Sequence, residues 1–191
     1  RANNAPSNNP ASDEENQQTF QNALAASIAA IKNAINLNPT YQNWVALGNI
    51  YSSLVPKPFE FEGAYEGAKM AYESAKSLHP LSPEASLLMA RLEADSGNTK
   101  KAREFVAEAI SKKSDYAEAF FFLGQLEVNE NNLDRAIESA ETGTLLLPNS
   151  PGVLFQLGVM KYSNNDYKGA SESLARALQL VPDYANAQYY L

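Results

Sequence analysis

Asp115-Tyr116-Ala117-Glu118-Ala119-Phe120-Phe121-Phe122-Leu123-Gly124 decides the reading of this chain, because its frame returns further on. Thirty-four residues later Leu123-Gly124 becomes Leu157-Gly158, and after another thirty-four Asp115-Tyr116-Ala117 becomes Asp183-Tyr184-Ala185. The same step carries Ala136 onto Ala170 and Pro148 onto Pro182, and backwards it carries Gly124 onto Ala90 and Ala136 onto Ala102. A fixed period of this length marks an array of small units, each burying its apolar face against the next. Helix-length apolar patterns inside each period alternate with the turns Gly97-Asn98, Asn131-Asn132 and Asn165-Asp166. Each unit is therefore an antiparallel helix pair.

Working back toward the N-terminus, one earlier unit reads Trp44-x-x-Leu47-Gly48-x-x-Tyr51, then Ala68-x-x-x-Tyr72, then Pro80. This pattern resembles the tetratricopeptide repeat, and the later units keep less of it, with Glu93, Glu127 and Lys161 standing where Tyr51 stands. The resemblance implies an all-α fold, a right-handed α-α superhelix in which antiparallel helix pairs stack as a solenoid. The organisation expected is a flexible linker over 1–13 and an N-terminal helix, a half repeat or cap, over 14–40. Four units follow over 41–184 (41–82, 83–116, 117–150 and 151–184), and a further repeat helix starts at 185–191. The unit 41–82 carries an insertion between its helices around Leu54-Val55-Pro56-Lys57-Pro58-Phe59-Glu60-Phe61-Glu62-Gly63, where the prolines stop helix continuation. Alternation in that insertion places Phe59 and Phe61 on one side, against an adjacent helix.

The residue types have a physical reading of their own. Gly48, Ala90, Gly124 and Gly158 on the first helices face Ala68, Ala102, Ala136 and Ala170 on the second, so that the axes approach closely. A third small column, Ala75, Ala109, Gly143 and Ala177, admits the next first helix. Ser82-Pro83 and Ser150-Pro151 pair a serine cap with proline at the first helical position, and Ser12 to Glu15 reads as a capping box. His79, before Pro80, reads as a helix C-cap.

Composition removes whole classes of function. With 15 Lys+Arg against 22 Asp+Glu, a net charge of −7 and no basic block, nothing draws the chain to nucleic acid or anionic lipid. The absence of cysteine excludes thiol chemistry, and a single histidine cannot build a His/Cys metal site or a Ser/His/Asp set. Catalytic, metal-binding and cofactor residues are therefore read as none, and the chain as no enzyme. Glu93 and Glu127 are expected to be solvated. Neither a signal peptide nor a transmembrane segment is read in these residues; the uncharged run from Thr142 to Met160 is broken by Pro148 and Pro151.

In the resemblance the first helices line the concave side, and what their packing stripe leaves over is the candidate partner-binding groove. These residues are Val45, Asn49 and Ser52; Leu87 and Arg91; Phe121, Gln125 and Val128; and Phe155, Val159 and Tyr162. Spacing of three, four and three keeps each set on one side of its helix. The expected partner is a protein or peptide segment held in that groove, with Phe121, Phe155 and Tyr162 accessible. One groove type in the family clamps a peptide carboxylate with Lys, Arg and Asn; Val45 and Leu88 occupy clamp places here, and only Asn49 matches it. The alternative is structural. By period Tyr189 falls in the groove column and Leu191 in the packing column, and the short last helix leaves apolar surface around Leu174, Ala177 and Leu178, inviting end-to-end self-association. A last resemblance is of segments: Asn38 to Trp44, the insertion, and Gly63 to Lys69 are similar to soluble tails of multi-spanning bacterial membrane proteins of polysaccharide synthesis. It implies an extracytoplasmic accessory role without direct membrane insertion of this chain.

Overall fold

The computed structural model describes residues 10–56 and 61–190, and every regular element among them is a helix. In chain order these are α1 (Pro10–Leu37), α2 (Tyr41–Ser52), α3 (Ala64–Leu78), α4 (Pro83–Asp95), α5 (Thr99–Lys112), α6 (Ala117–Asn129), α7 (Leu133–Leu146), α8 (Pro151–Ser163), α9 (Tyr167–Leu180) and α10 (Ala185–Tyr189). The most extensive contacts join α2 to α3, α4 to α5, α6 to α7 and α8 to α9, and each second helix then meets the first helix of the next pair. Helix α1 packs on α2, and α10 on α9. Helix α4 also reaches α6, so the first helices converge on the inner side of the bend.

The turns inside the pairs share one solution. Gly97, Asn131 and Asn165 all have φ between 61° and 83°, the left-handed conformation that glycine and asparagine tolerate. The next residue sends its backbone N–H back five positions: Asn98 to Glu93, Asn132 to Glu127, Asp166 to Lys161, at 2.7–2.9 Å. The last carbonyls of α4, α6 and α8 are thereby satisfied where each chain reverses.

Small residues set the helix spacing as read from the sequence. Ala68, Ala71, Ala75, Ala90, Ala102, Ala109, Ala136 and Ala177 have no exposed surface, and Gly48 lies under the ring of Tyr72. Leu47, Met89, Leu92, Leu154 and Leu174 fill the space between, each removing a large apolar side chain from water for roughly 1.5–3 kcal/mol. His79 is the C-cap of α3, its backbone N–H bonding the Ala75 carbonyl.

Several expectations are corrected. Among the described residues helix α1 already runs from Pro10, so Ser12 lies inside it and not ahead of it as a cap. Ser82 caps α4 by accepting from the Glu84 N–H, whereas Ser150 makes no such bond ahead of α8. Glu93 and Glu127 are buried at 1% and 4% exposure, because each carboxylate is paired. Glu93 accepts from the Tyr65 hydroxyl and the Asn98 amide, Glu127 from Arg103 and the Asn132 amide. Leu174 and Ala177 are fully buried and Leu178 is half-buried: α10 covers α9, and Leu174 seats against Gly158. Residues 1–9 of the expected linker, Phe59 of the insertion, and Leu191 lie outside the described residues. Phe61 is 38% exposed and its backbone N–H bonds the Leu54 carbonyl, drawing the insertion's end back to the end of α2.

Candidate functional site

The inner faces of α4, α6, α8 and α10 form two adjoining stretches of groove. The first, about 320 Å³, is lined by Val128, Phe155, Val159, Met160 and Tyr190, with the amides of Gln125, Asn129 and Gln156 among them. The second, about 260 Å³, shares Gln125 and Gln156 and runs on to Arg91, Glu118, Phe121 and Phe122. The Arg91 guanidinium lies over the Phe122 ring at 5.5 Å, an arrangement that restricts the side chain before any ligand arrives.

The difference between Phe121 and Phe155, equivalent residues one period apart, explains where the groove is open. The Phe121 ring packs on the bare backbone of Gly143, where an added Cβ would come within 2.6 Å of it. Phe121 is therefore 8% exposed, which corrects its expected accessibility. The residue equivalent to Gly143 in the next pair is Ala177, whose methyl group occupies that space. Phe155 stays half-buried in the groove, its ring 5.2 Å from that of Tyr184 and 6.0 Å from that of Tyr190. Leu87, facing Ala109, is likewise a core residue at 4% exposure and not part of an accessible wall.

Of the other groove residues, Gln125, Val128 and Val159 come together with Phe155 in the first stretch, and Arg91 meets Gln125 in the second. Tyr162 is 45% exposed and flanks the groove, in edge-to-face contact with Tyr167 and Tyr190. Val45, Asn49 and Ser52 belong to the far end: Val45 packs beside Tyr41, Ser52 is half-buried, and Asn49 accepts a hydrogen bond from the Tyr72 hydroxyl at 2.8 Å. Asn129, Gln156, Met160 and Tyr190 also line the first stretch, beyond the residues expected from the sequence. A helix presents a stripe about 100° wide, and these residues lie next to the expected line. Tyr189, placed in the groove by period, is 85% exposed, and Tyr190 takes the groove position instead.

Away from the groove lining, the buried carboxylates Glu93 and Glu127 are held by neighbours. Arg103 bridges Glu127 at 2.5 Å and Glu130 at 2.6 Å, tying α5 to the end of α6. This guanidinium, followed by the Asn132 amide, holds the Glu127 carboxyl below the usual carboxylate range despite its burial. Burial, and then the hydrogen bond to Glu93, pushes Tyr65 up to about 12. Among the described residues no group of His, Cys, Asp and Glu is placed to hold a metal ion, and no helix is long and apolar enough to cross a membrane.

Comparison with known proteins agrees with this architecture. Residues 62–115 match the family model of the tetratricopeptide repeat. Over 129 residues, 65% of this chain, the sequence is 28% identical to human Protein O-mannosyl-transferase TMTC1, of which it spans 15%. Among solved structures the fold is similar to MamA (TM-score 0.63, 19% identity, 88% of this chain and 95% of that one). It is similar to YrrB, described as a tetratricopeptide protein with an unusual peptide-binding site (0.58, 21%, 91% and 86%). It is also similar to the Cut9-Hcn1 assembly of the APC/C (0.67, 18%, 87% and 32%). Residues 62–115 match the tetratricopeptide repeat in sequence, and the stacked helix pairs from α2 to α9 have the all-α solenoid fold of the tetratricopeptide-repeat structures to which the chain is similar.

Proposed function

We propose that the array is a non-enzymatic scaffold that holds a segment of a partner protein in the groove formed by α6, α8 and α10. The observation that carries this reading is the half-buried Phe155, kept out of the core by Ala177 and gathered with Val128, Val159 and Tyr190 in one cleft. Such surface is costly to leave facing water and is the usual signature of a ligand site. The peptide-binding site described for YrrB supports peptide binding on this kind of fold. Selection of phage-displayed random dodecapeptides against the array tests it. Binders should be lost on Val159→Glu and kept on Leu145→Glu, a charge placed on the 82%-exposed surface of α7. Binders indifferent to Val159→Glu would reject the groove.

A second reading, supported by the match to TMTC1, makes the array the accessory repeat region of a larger membrane-associated glycosyl-transfer protein. It leaves the groove's role unchanged and adds a setting. Fusion-topology mapping of the gene's full product would decide it: no membrane spans beside the array would count against it.

A further inference from the structure

The chemistry of the groove selects within that proposed role, and we infer that its α6/α8/α10 stretch is specific for an uncharged, extended peptide with one large apolar anchor. This rests on the groove reading above and narrows it. Every side chain lining the stretch is uncharged at neutral pH: Val128, Phe155, Val159, Met160, Tyr190 and the three amides. A charged residue of the partner entering it would lose its water and meet no counter-ion, which costs more than an apolar side chain gains there. The floor of Val128, Val159 and Met160 with Phe155 and Tyr190 as walls suits an aromatic, leucine or methionine side chain. Edge-to-face contacts hold those walls in place before binding: Tyr190 touches Phe155, Tyr162 and Tyr189 at 5.4–6.0 Å.

The amides determine the form of the partner. Gln125, Asn129 and Gln156 each present both a donor and an acceptor, which matches the alternating N–H and C=O of an extended backbone. Charge enters only in the adjoining stretch. There Arg91 faces Glu118 across the groove and Asp95 one turn along its own helix, so the cation and the two carboxylates leave no net attraction for an acidic partner. Neighbouring first helices lie roughly 10 Å apart, about three residues of extended chain. The partner's uncharged stretch thus covers the anchor and about two residues on either side.

The probes are the selected dodecapeptides and synthetic variants of the best one, titrated against the whole chain by fluorescence anisotropy. Expected is a consensus with one aromatic, Leu or Met and no Asp, Glu, Lys or Arg within about two positions of it. Affinity should change less than about twofold between about 0.05 and about 0.5 M salt. Gln156→Glu should weaken the neutral peptide by about tenfold, and a lysine placed beside the anchor should recover part of that loss. Gln156→Ala, which adds no charge, controls for misfolding of the first variant. Peptides lost on Val159→Glu but carrying a charged consensus would overturn this inference and leave the groove reading standing. Peptides indifferent to Val159→Glu, or no enrichment at all, would overturn both. Binding of a glycan-array oligosaccharide through Val159 and Tyr190, with no peptide selected, would replace the peptide by a glycan.

Discussion

Exchanging Phe121→Leu and Gly143→Ala together should restore what each change alone removes. In the structure the ring fills the space above the glycine, and an added methyl would sit 2.6 Å from two ring carbons. Gly143→Ala gains about 1 kcal/mol of helix propensity and loses about 1–3 kcal/mol to overpacking, a net cost of about 0–2 kcal/mol. Phe121→Leu leaves a void over the glycine and costs about 1–2 kcal/mol. The double variant recreates the Leu87–Ala109 pair already present one period earlier, where both residues are buried. It should be about as stable as the parent, giving a coupling of about 1–4 kcal/mol, the sum of the two single costs. Urea unfolding of the parent and the three variants measures it, provided the m-values stay equal, since repeat arrays can unfold in parts. Additivity within about 0.5 kcal/mol would refute the claim that residue 143 decides whether the aromatic of its pair is buried or left in the groove.

The same logic makes Ala177→Gly a closing mutation: Phe155 should sink toward α9, and binding of the selected peptide should fall while stability changes little. Phe155→Ala should cost less than half of the roughly 3–5 kcal/mol that a fully buried ring loses, as thermal or urea unfolding would show, because the side chain is only half-buried. Arg103→Met leaves the Glu127 carboxylate buried with only the Asn132 amide and should cost about 1–3 kcal/mol. Glu127 has its folded pKa lowered, so its contribution is present above the unfolded carboxylate value and is lost as pH falls through the folded one. Melting temperatures from pH 6 to pH 2.5, about the carboxylate range, should therefore drop less steeply in Glu127→Gln. Tyr65 is raised to about 12, so its contribution holds below the unfolded tyrosine value and is lost as pH climbs toward 12; Tyr65→Phe should flatten that alkaline loss.

The period was legible because it is written in residues with no alternative role: a glycine or alanine where two helix axes cross cannot be enlarged without moving a neighbour. The turns were legible for the same reason, since Gly97, Asn131 and Asn165 occupy a backbone conformation that few residues accept. Burial of Glu93 and Glu127 was not, because the hydroxyl, amide and guanidinium that satisfy them come from Tyr65, Asn98, Arg103 and Asn132, up to 28 residues away. The groove was half legible. Gln125, Val128, Phe155 and Val159 follow from helical spacing, but the burial of Phe121 depends on which small residue faces it, a pairwise fact that a reading of single columns passes over. Tyr190 was hidden by a one-residue difference at a helix end, where the regular period no longer dictates the direction of the side chain.

The most direct test of the account is a map of backbone amide shifts in the isotope-labelled chain as a selected peptide is added. The largest changes are expected at Gln125, Val128, Asn129, Phe155, Gln156, Val159 and Tyr190, with the outer surface of α5 and α7 unmoved. Changes centred on the second helices, or spread evenly along the solenoid, would contradict it.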